Sequence, residues 1–221
     1  MRAIGSAGRA GVALALCLTL VLGGCSTAWI GQAEEIVSAL MPAAANLVAL
    51  VAALEGKTVS TADLQMIQNV GSQVGTDLQL IQSLIAAYQK ADAAGQAGIL
   101  NQIESAINAA QGNLQGLLAG LHIKDAATQA KITAVVGLLL SEVQALAAVV
   151  PLVKGTNAPP LAKNARNGAP KAPLAAGEFV SSYNATLTAK TGNADVDRVT
   201  AGLKIHLHGK LERWATAGVL K

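Results

Sequence analysis

The chain has 221 residues and a net charge of +3, and this length suffices for one domain with a sizeable core and short appendages. Hydrophobic residues make up 52% of it and aromatic residues only 2%, and this Ala- and Leu-rich composition favours helices over a sheet-rich domain. Its two cysteines are too few for a disulfide framework or a cysteine-based metal site.

The first 24 residues have the pattern of a secretion signal. Arg2 and Arg9 form a positive start, and the apolar stretch from Ala10 to Leu22 is short for a membrane-spanning helix. The stretch ends in the tetrapeptide Leu22-Gly23-Gly24-Cys25. This tetrapeptide resembles the lipobox of bacterial lipoproteins, which consists of an aliphatic residue, two small residues and an invariant cysteine. An ordinary signal peptide and a membrane anchor are the alternative interpretations.

The resemblance implies how the N-terminus matures. Cleavage after Gly24 leaves Cys25 first, and the Cys25 sulfur accepts a diacylglyceryl group. Acyl chains such as palmitate are then the only covalent addition, and no other cofactor is expected. Because two or more acyl chains anchor a protein stably, the resemblance implies a cell-envelope location. In a Gram-negative source, Ser26 after the cysteine permits delivery to the periplasmic face of the outer membrane.

Four long segments after the signal carry apolar residues at alternating spacings of three and four, which predicts helices packed along a common seam. Short connections force neighbouring helices to run antiparallel. The predicted fold is therefore all-α, an up-down-up-down four-helix bundle over residues 25–153, with Ser60 and Asp125 as helix N-caps. The predicted helices run from about Ala28 to Glu55, Thr61 to Asp92, Gln96 to Leu121 and Ala126 to Val153.

Glycines inside two of these helices are predicted to be packing sites. A glycine within a helix costs about 1 kcal/mol relative to alanine, and close approach between helix backbones is the gain expected to offset that cost. The glycines concerned are Gly71 and Gly75 in the second helix and Gly112, Gly116 and Gly120 in the third.

The same helices are apolar enough to raise the alternative that they span a membrane. Glu142 and Gln144 lie at the middle of the fourth helix, and a charge at the centre of a membrane helix costs about 2.5–3.5 kcal/mol even on the more permissive scale. The sequence therefore favours a water-soluble bundle.

The composition changes after the fourth helix. Residues 154–177 are rich in proline, alanine and lysine and are predicted to form an extended linker. From Lys154 onward there are ten basic and four acidic residues, whereas Ala28 to Val153 contains four basic and nine acidic residues. This asymmetry predicts different surroundings for the two parts. The linker is expected to be disordered, and the alternative is that the basic tail binds an anionic wall polymer or an envelope protein.

Residues 178–221 return to helical patterning. One short helix is predicted from Glu178 to Lys190 and a second, amphipathic and basic, from Asp195 to about Ala215. The second helix either docks on a membrane surface or a partner or folds back onto the bundle. Lys204 to His208 also alternates like a short strand.

The two tryptophans, Trp29 and Trp214, are predicted to lie at the membrane interface, where this side chain is enriched. Packing against the helical body is the alternative for each of them.

The remaining residues offer little chemistry. His206 and His208, or His208 and Glu212, supply two metal ligands at most, fewer than the three or four of a zinc site, and His122 lies in a predicted turn. Because no strand pattern precedes a glycine cluster, a phosphate-binding loop is not indicated. We therefore expect no enzymatic activity, no metal site and no nucleic-acid partner.

The sequence favours a non-catalytic lipoprotein of the cell envelope, anchored in membrane lipid by its acylated N-terminus. Its helical bundle would serve as a structural or interaction module. One alternative is a membrane-active protein, pore-forming or remodelling, that opens and inserts its apolar helices. The other is a carrier of small apolar ligands inside the bundle, where glycine and alanine leave room.

Overall fold

The computed structural model describes residues 28–54, 59–151 and 175–206, and these residues form six helices and no strand. The all-α prediction is confirmed. In chain order the helices are α1 (Ala28–Leu54), α2 (Thr61–Tyr88), α3 (Ala93–Gly120), α4 (Ala126–Val149), α5 (Ala176–Thr188) and α6 (Ala194–Gly202).

Helices α1 to α4 pack as the predicted up-down bundle. Each contacts its neighbour in the chain, and α4 closes the ring against α1. The Trp29 ring at the start of α1 meets the Tyr88 ring at the end of α2, which fixes these two helices as antiparallel. The apolar residues that the three-and-four spacing predicts along the seam, such as Val74, Leu78 and Ile81 of α2, are buried in the described ranges. The exceptions are Val51 of α1 and Leu100 of α3, which are partly buried.

The predicted N-caps are present. The Ser60 hydroxyl accepts the Asp63 backbone N–H at 3.1 Å, and the Asp125 carboxylate accepts that of Thr128 at 2.8 Å. Asp63 also accepts the His122 N–H at 3.2 Å, so the start of α2 is tied to the turn between α3 and α4. The hydrogen bond between the Ser60 hydroxyl and the Asp63 carboxylate is the main reason that the pKa of Asp63 lies below its usual value.

The third helix begins earlier than predicted. Asp92 is its N-cap and accepts the Gly95 N–H at 2.8 Å, which brings Ala93 to Gly95 into the helix. The second helix accordingly ends at Tyr88 rather than at Asp92.

Helices α5 and α6 pack on the bundle, against α4 and α1. We call residues 175–206 the C-terminal strap. Phe179 and Tyr183 of the strap are almost completely buried and belong to the same hydrophobic core as the bundle. The Lys131 ammonium near the start of α4 donates to the Leu187 carbonyl at 2.9 Å, so the end of α5 lies beside the start of α4.

The predicted helix from Asp195 to Ala215 is wrong in its extent. Helix α6 ends at Gly202, and the chain from Leu203 to His206 is neither helix nor strand. The cause is a tertiary contact, because the Asn184 side chain donates to the Ile205 carbonyl and accepts the Ile205 N–H, both at 2.8 Å. Up to His206 this segment folds back onto the bundle. The predicted linker lies outside the described residues except for its last three positions, which belong to the strap.

Candidate functional site

The end of the bundle nearest Cys25 is closed by an aromatic pair. Trp29 is only 7% exposed, and its ring centroid lies 5.1 Å from that of Tyr88 in an edge-on arrangement. Trp29 thus packs against Tyr88 in the helical body, and its place at a membrane interface stays a prediction. Trp214 and the signal residues Leu22, Gly23, Gly24 and Cys25 lie outside the described residues.

Two of the five predicted packing glycines make close contacts. A Cβ placed at Gly71 would lie 3.0 Å from the Leu47 Cβ and 3.3 Å from the Val48 backbone nitrogen of α1. At Gly120 it would lie 2.9 Å from the Met66 sulfur of α2. The prediction is wrong for the other three, Gly75, Gly112 and Gly116, because no neighbouring atom of the described chain lies within 4 Å of such a Cβ.

Lys131 forms a buried polar cluster between α4 and the strap, a cluster that sequence reasoning missed. Its ammonium donates to the Leu187 carbonyl at 2.9 Å, the Thr200 hydroxyl at 2.8 Å and the Asp197 carboxylate at 3.3 Å. Asp197 also accepts the Thr191 N–H at 2.9 Å, the first cause of its lowered pKa. All three ammonium protons are used, so the cluster fastens the strap and leaves no free donor for a ligand.

The strap is also attached to α1. The Tyr183 hydroxyl donates to the Ala43 carbonyl at 3.4 Å, and the Asn46 amide donates to the Leu203 carbonyl. Burial raises the pKa of Tyr183 to about 12, so the phenol stays neutral. The strap therefore bridges α1 and α4 from outside.

Glu142 of α4 is a further buried charged residue. It is 1% exposed, and its Oε1 has no hydrogen-bond partner among the described residues. Burial is the main cause that raises the pKa of Glu142 to about 7, and the like charge of Glu35 on α1 adds to the effect. The sequence signal for the burial of Glu142 is the apolar character of the turns of α4 on either side of it.

Two grooves lie on the bundle surface. The groove between α2 and α3, of about 450 Å³, contains Asp77, Asn113 and short polar residues, and the groove between α1 and α2, of about 560 Å³, is lined by Val48, Val51 and Leu64 among others. Desolvation raises the pKa of Asp77. Both grooves open to solvent, so neither is the enclosed interior cavity that a carrier of apolar ligands needs.

Within the described ranges, no three His, Cys, Asp or Glu side chains are grouped to hold a metal ion. The exposed His122 ring places its Nδ1 2.7 Å from the Gly120 carbonyl, and His206 is exposed. His208 and Glu212 lie outside the described residues.

In the part of the chain that the structure describes, two helices are long and apolar enough to cross a membrane, judged by length and composition. They are α1, over Trp29–Val51, and α4, over Ala126–Val149. About half of each lies buried inside the bundle, and core helices of soluble proteins share this property.

Comparison with known proteins identifies no relative. No protein family, curated protein or solved structure matches the chain.

Proposed function

We propose that this protein is a non-catalytic lipoprotein of the bacterial cell envelope, whose helical bundle serves as a structural or interaction module beside a membrane. The observation that carries the proposal is the tetrapeptide Leu22-Gly23-Gly24-Cys25, placed directly before the helical body. Helix α1 begins at Ala28, so only Ser26 and Thr27 separate the acylated cysteine from the bundle. At about 3.5 Å per residue, this tether reaches about 10 Å.

So short a tether defines an orientation for the bundle. The start of α1, the turn between α2 and α3, and the end of α4 share one end of the bundle, as the Trp29–Tyr88 contact indicates for the first two. That end would face the membrane. The predicted basic linker follows α4 there, and its four basic residues and no acidic residue between 152 and 174 suit anionic lipid or an anionic wall polymer.

Removal of the lipid attachment site tests the proposal. We expect Cys25→Ser to abolish incorporation of labelled palmitate and to release the protein from the membrane fraction. Cys17→Ser is the matched control, because Cys17 lies in the signal and should leave both unchanged. Intact mass of the membrane-extracted protein should begin at Cys25 and include the acyl groups; a mature chain that begins elsewhere, or lacks acyl mass, would contradict the proposal.

A second candidate is a membrane-active protein, and the apolar character of α1 and α4 is the observation that favours it. In this alternative the bundle opens and the two helices insert. Leakage of dye from anionic vesicles at micromolar protein separates the candidates, because the interaction module leaves vesicles intact.

A further inference from the structure

The seam between α1 and α4 contains a carboxyl group that has no counter-charge among the described residues. Glu142 is 1% exposed, and its Oε1 has no partner among the described residues. An ionised carboxylate in such a place loses its hydration and gains no hydrogen bond at this oxygen, whereas the protonated acid is tolerated. The seam is therefore better packed with Glu142 neutral.

The helices around Glu142 bring no cation to it. Helix α1 carries Glu34 and Glu35, and the charge of Glu35 acts directly on Glu142. The sequences of α3 and α5 contain one charged residue each, Glu104 and Glu178, and both are acidic.

The cations of helices α4 and α6 are held elsewhere. Lys131, the one cation of the α4 sequence, lies eleven residues from Glu142, about 16 Å along the helix, and is bound to the strap. Helix α6 meets α4 at Lys131, and its Arg198 bonds to the Asp195 carboxylate at 2.9 Å. Among the described residues, the charge that acts on Glu142 is therefore the like charge of Glu35.

We propose that Glu142 and Glu35 form a proton-controlled latch on the α1–α4 seam. With Glu142 protonated, α4 closes tightly against α1 beneath the strap; with Glu142 ionised, the seam loosens. The seam is the place where the last helix of the bundle meets the first, and it joins the two most apolar helices. Loosening there exposes apolar faces while α2 and α3 stay paired. The inference holds whether or not Cys25 is acylated.

The direction of the pH effect follows from proton binding. The pKa of Glu142 rises from an ordinary 4.5 to about 7 in the folded protein, so the native state holds a proton that the unfolded state has lost. The contribution of Glu142 to stability is then greatest below about pH 4.5, falls as the pH rises toward 7, and is lost above that.

Thermal unfolding of the purified full chain tests the latch. We expect the Tm of the unsubstituted chain to fall by about 3–8 °C between pH 5 and pH 8. Glu142→Gln should remove most of this fall and raise the Tm at pH 8. Glu35→Gln should reduce the fall, because it removes the like charge. Glu34→Gln is the matched control on the exposed neighbouring residue and should behave as the unsubstituted chain.

Hydrogen exchange locates the loosening. After correction for intrinsic rates, amides of α1 and α4 should lose protection at pH 8 relative to pH 5 more than those of α2 and α3, and Glu142→Gln should suppress the difference. A Tm that does not change with pH, or a Glu142→Gln variant destabilised equally at both pH values, would overturn the proposal. If Glu142→Gln does not fold, an unchanged pH dependence in Glu35→Gln overturns it equally.

Discussion

Buried polar side chains in this protein are of two kinds. Lys131 and Thr200 bond to each other and to further partners, and such satisfied groups fix the position of the elements that carry them. Glu142 Oε1 and Gln111 Nε2 have no partner among the described residues, and each such group costs stability. The first kind holds the strap in place, and the second kind lowers the stability of the bundle.

Substitution of Lys131 tests how much a buried polar group with hydrogen-bond partners adds to stability. Lys131→Met keeps the aliphatic stem but removes three hydrogen bonds, and we expect it to lower the free energy of unfolding by about 2–3 kcal/mol. Chemical denaturation followed by circular dichroism measures this. Lys90→Met, on the exposed turn after α2, is the control and should change stability by less than about 0.5 kcal/mol. Equal effects of the two substitutions would show that the cluster adds no stability.

At the scale of helices, the spacing of apolar residues decided what the sequence could predict. The seam was predictable because apolar residues such as Val74, Leu78 and Ile81 recur every three or four positions. This spacing places them on one face of a helix. The Asp92 N-cap was missed because Gly95 resembles a loop residue, although Asp92 stands three residues before it. The end of α6 was unpredictable, since the Asn184–Ile205 bonds that determine it join residues of different elements.

The packing role of the glycines was only partly predictable, because the spacing of glycines along a helix does not show which of its faces a neighbouring helix covers. Gly71→Ala should destabilise the protein by about 1–3 kcal/mol, since the new Cβ meets the backbone of α1. Gly112→Ala has open space and should stabilise it by about 0.5–1 kcal/mol through helix propensity. Denaturant midpoints measure both, and effects of the same sign would contradict the helix packing described above.

Removal of the strap tests how far the bundle depends on it. The predicted division at residue 153 implies that the bundle folds alone, but Phe179 and Tyr183 fill its core, and loss of a buried Phe side chain alone costs about 3–5 kcal/mol. We expect a chain that ends at Val153 to remain helical but to melt at lower temperature and to self-associate. Circular dichroism and light scattering measure this, and unchanged melting of a monomer would mean that the strap is dispensable.

At the scale of the whole molecule, the bundle has two distinct ends. Gln89 follows α2 at the end nearest Cys25, whereas His122 lies at the other end, where its N–H bonds to Asp63. The 25 residues from Asp63 to Tyr88 place these ends about 38 Å apart along α2. If the bundle is acylated as proposed, a 10 Å tether would hold one end near the lipid headgroups and the other well above them.

Fluorescent labels at the two ends measure this orientation. Because Cys17 would leave with the signal and the Cys25 sulfur would be acylated, Gln89→Cys or His122→Cys introduces a single free thiol, and both positions are exposed. In reconstituted vesicles, a headgroup quencher should reduce emission from position 89 several-fold more than from position 122. In detergent the two labels should be quenched alike. Equal quenching on vesicles would mean that the bundle lies flat on the membrane, and the short tether would then not determine its orientation.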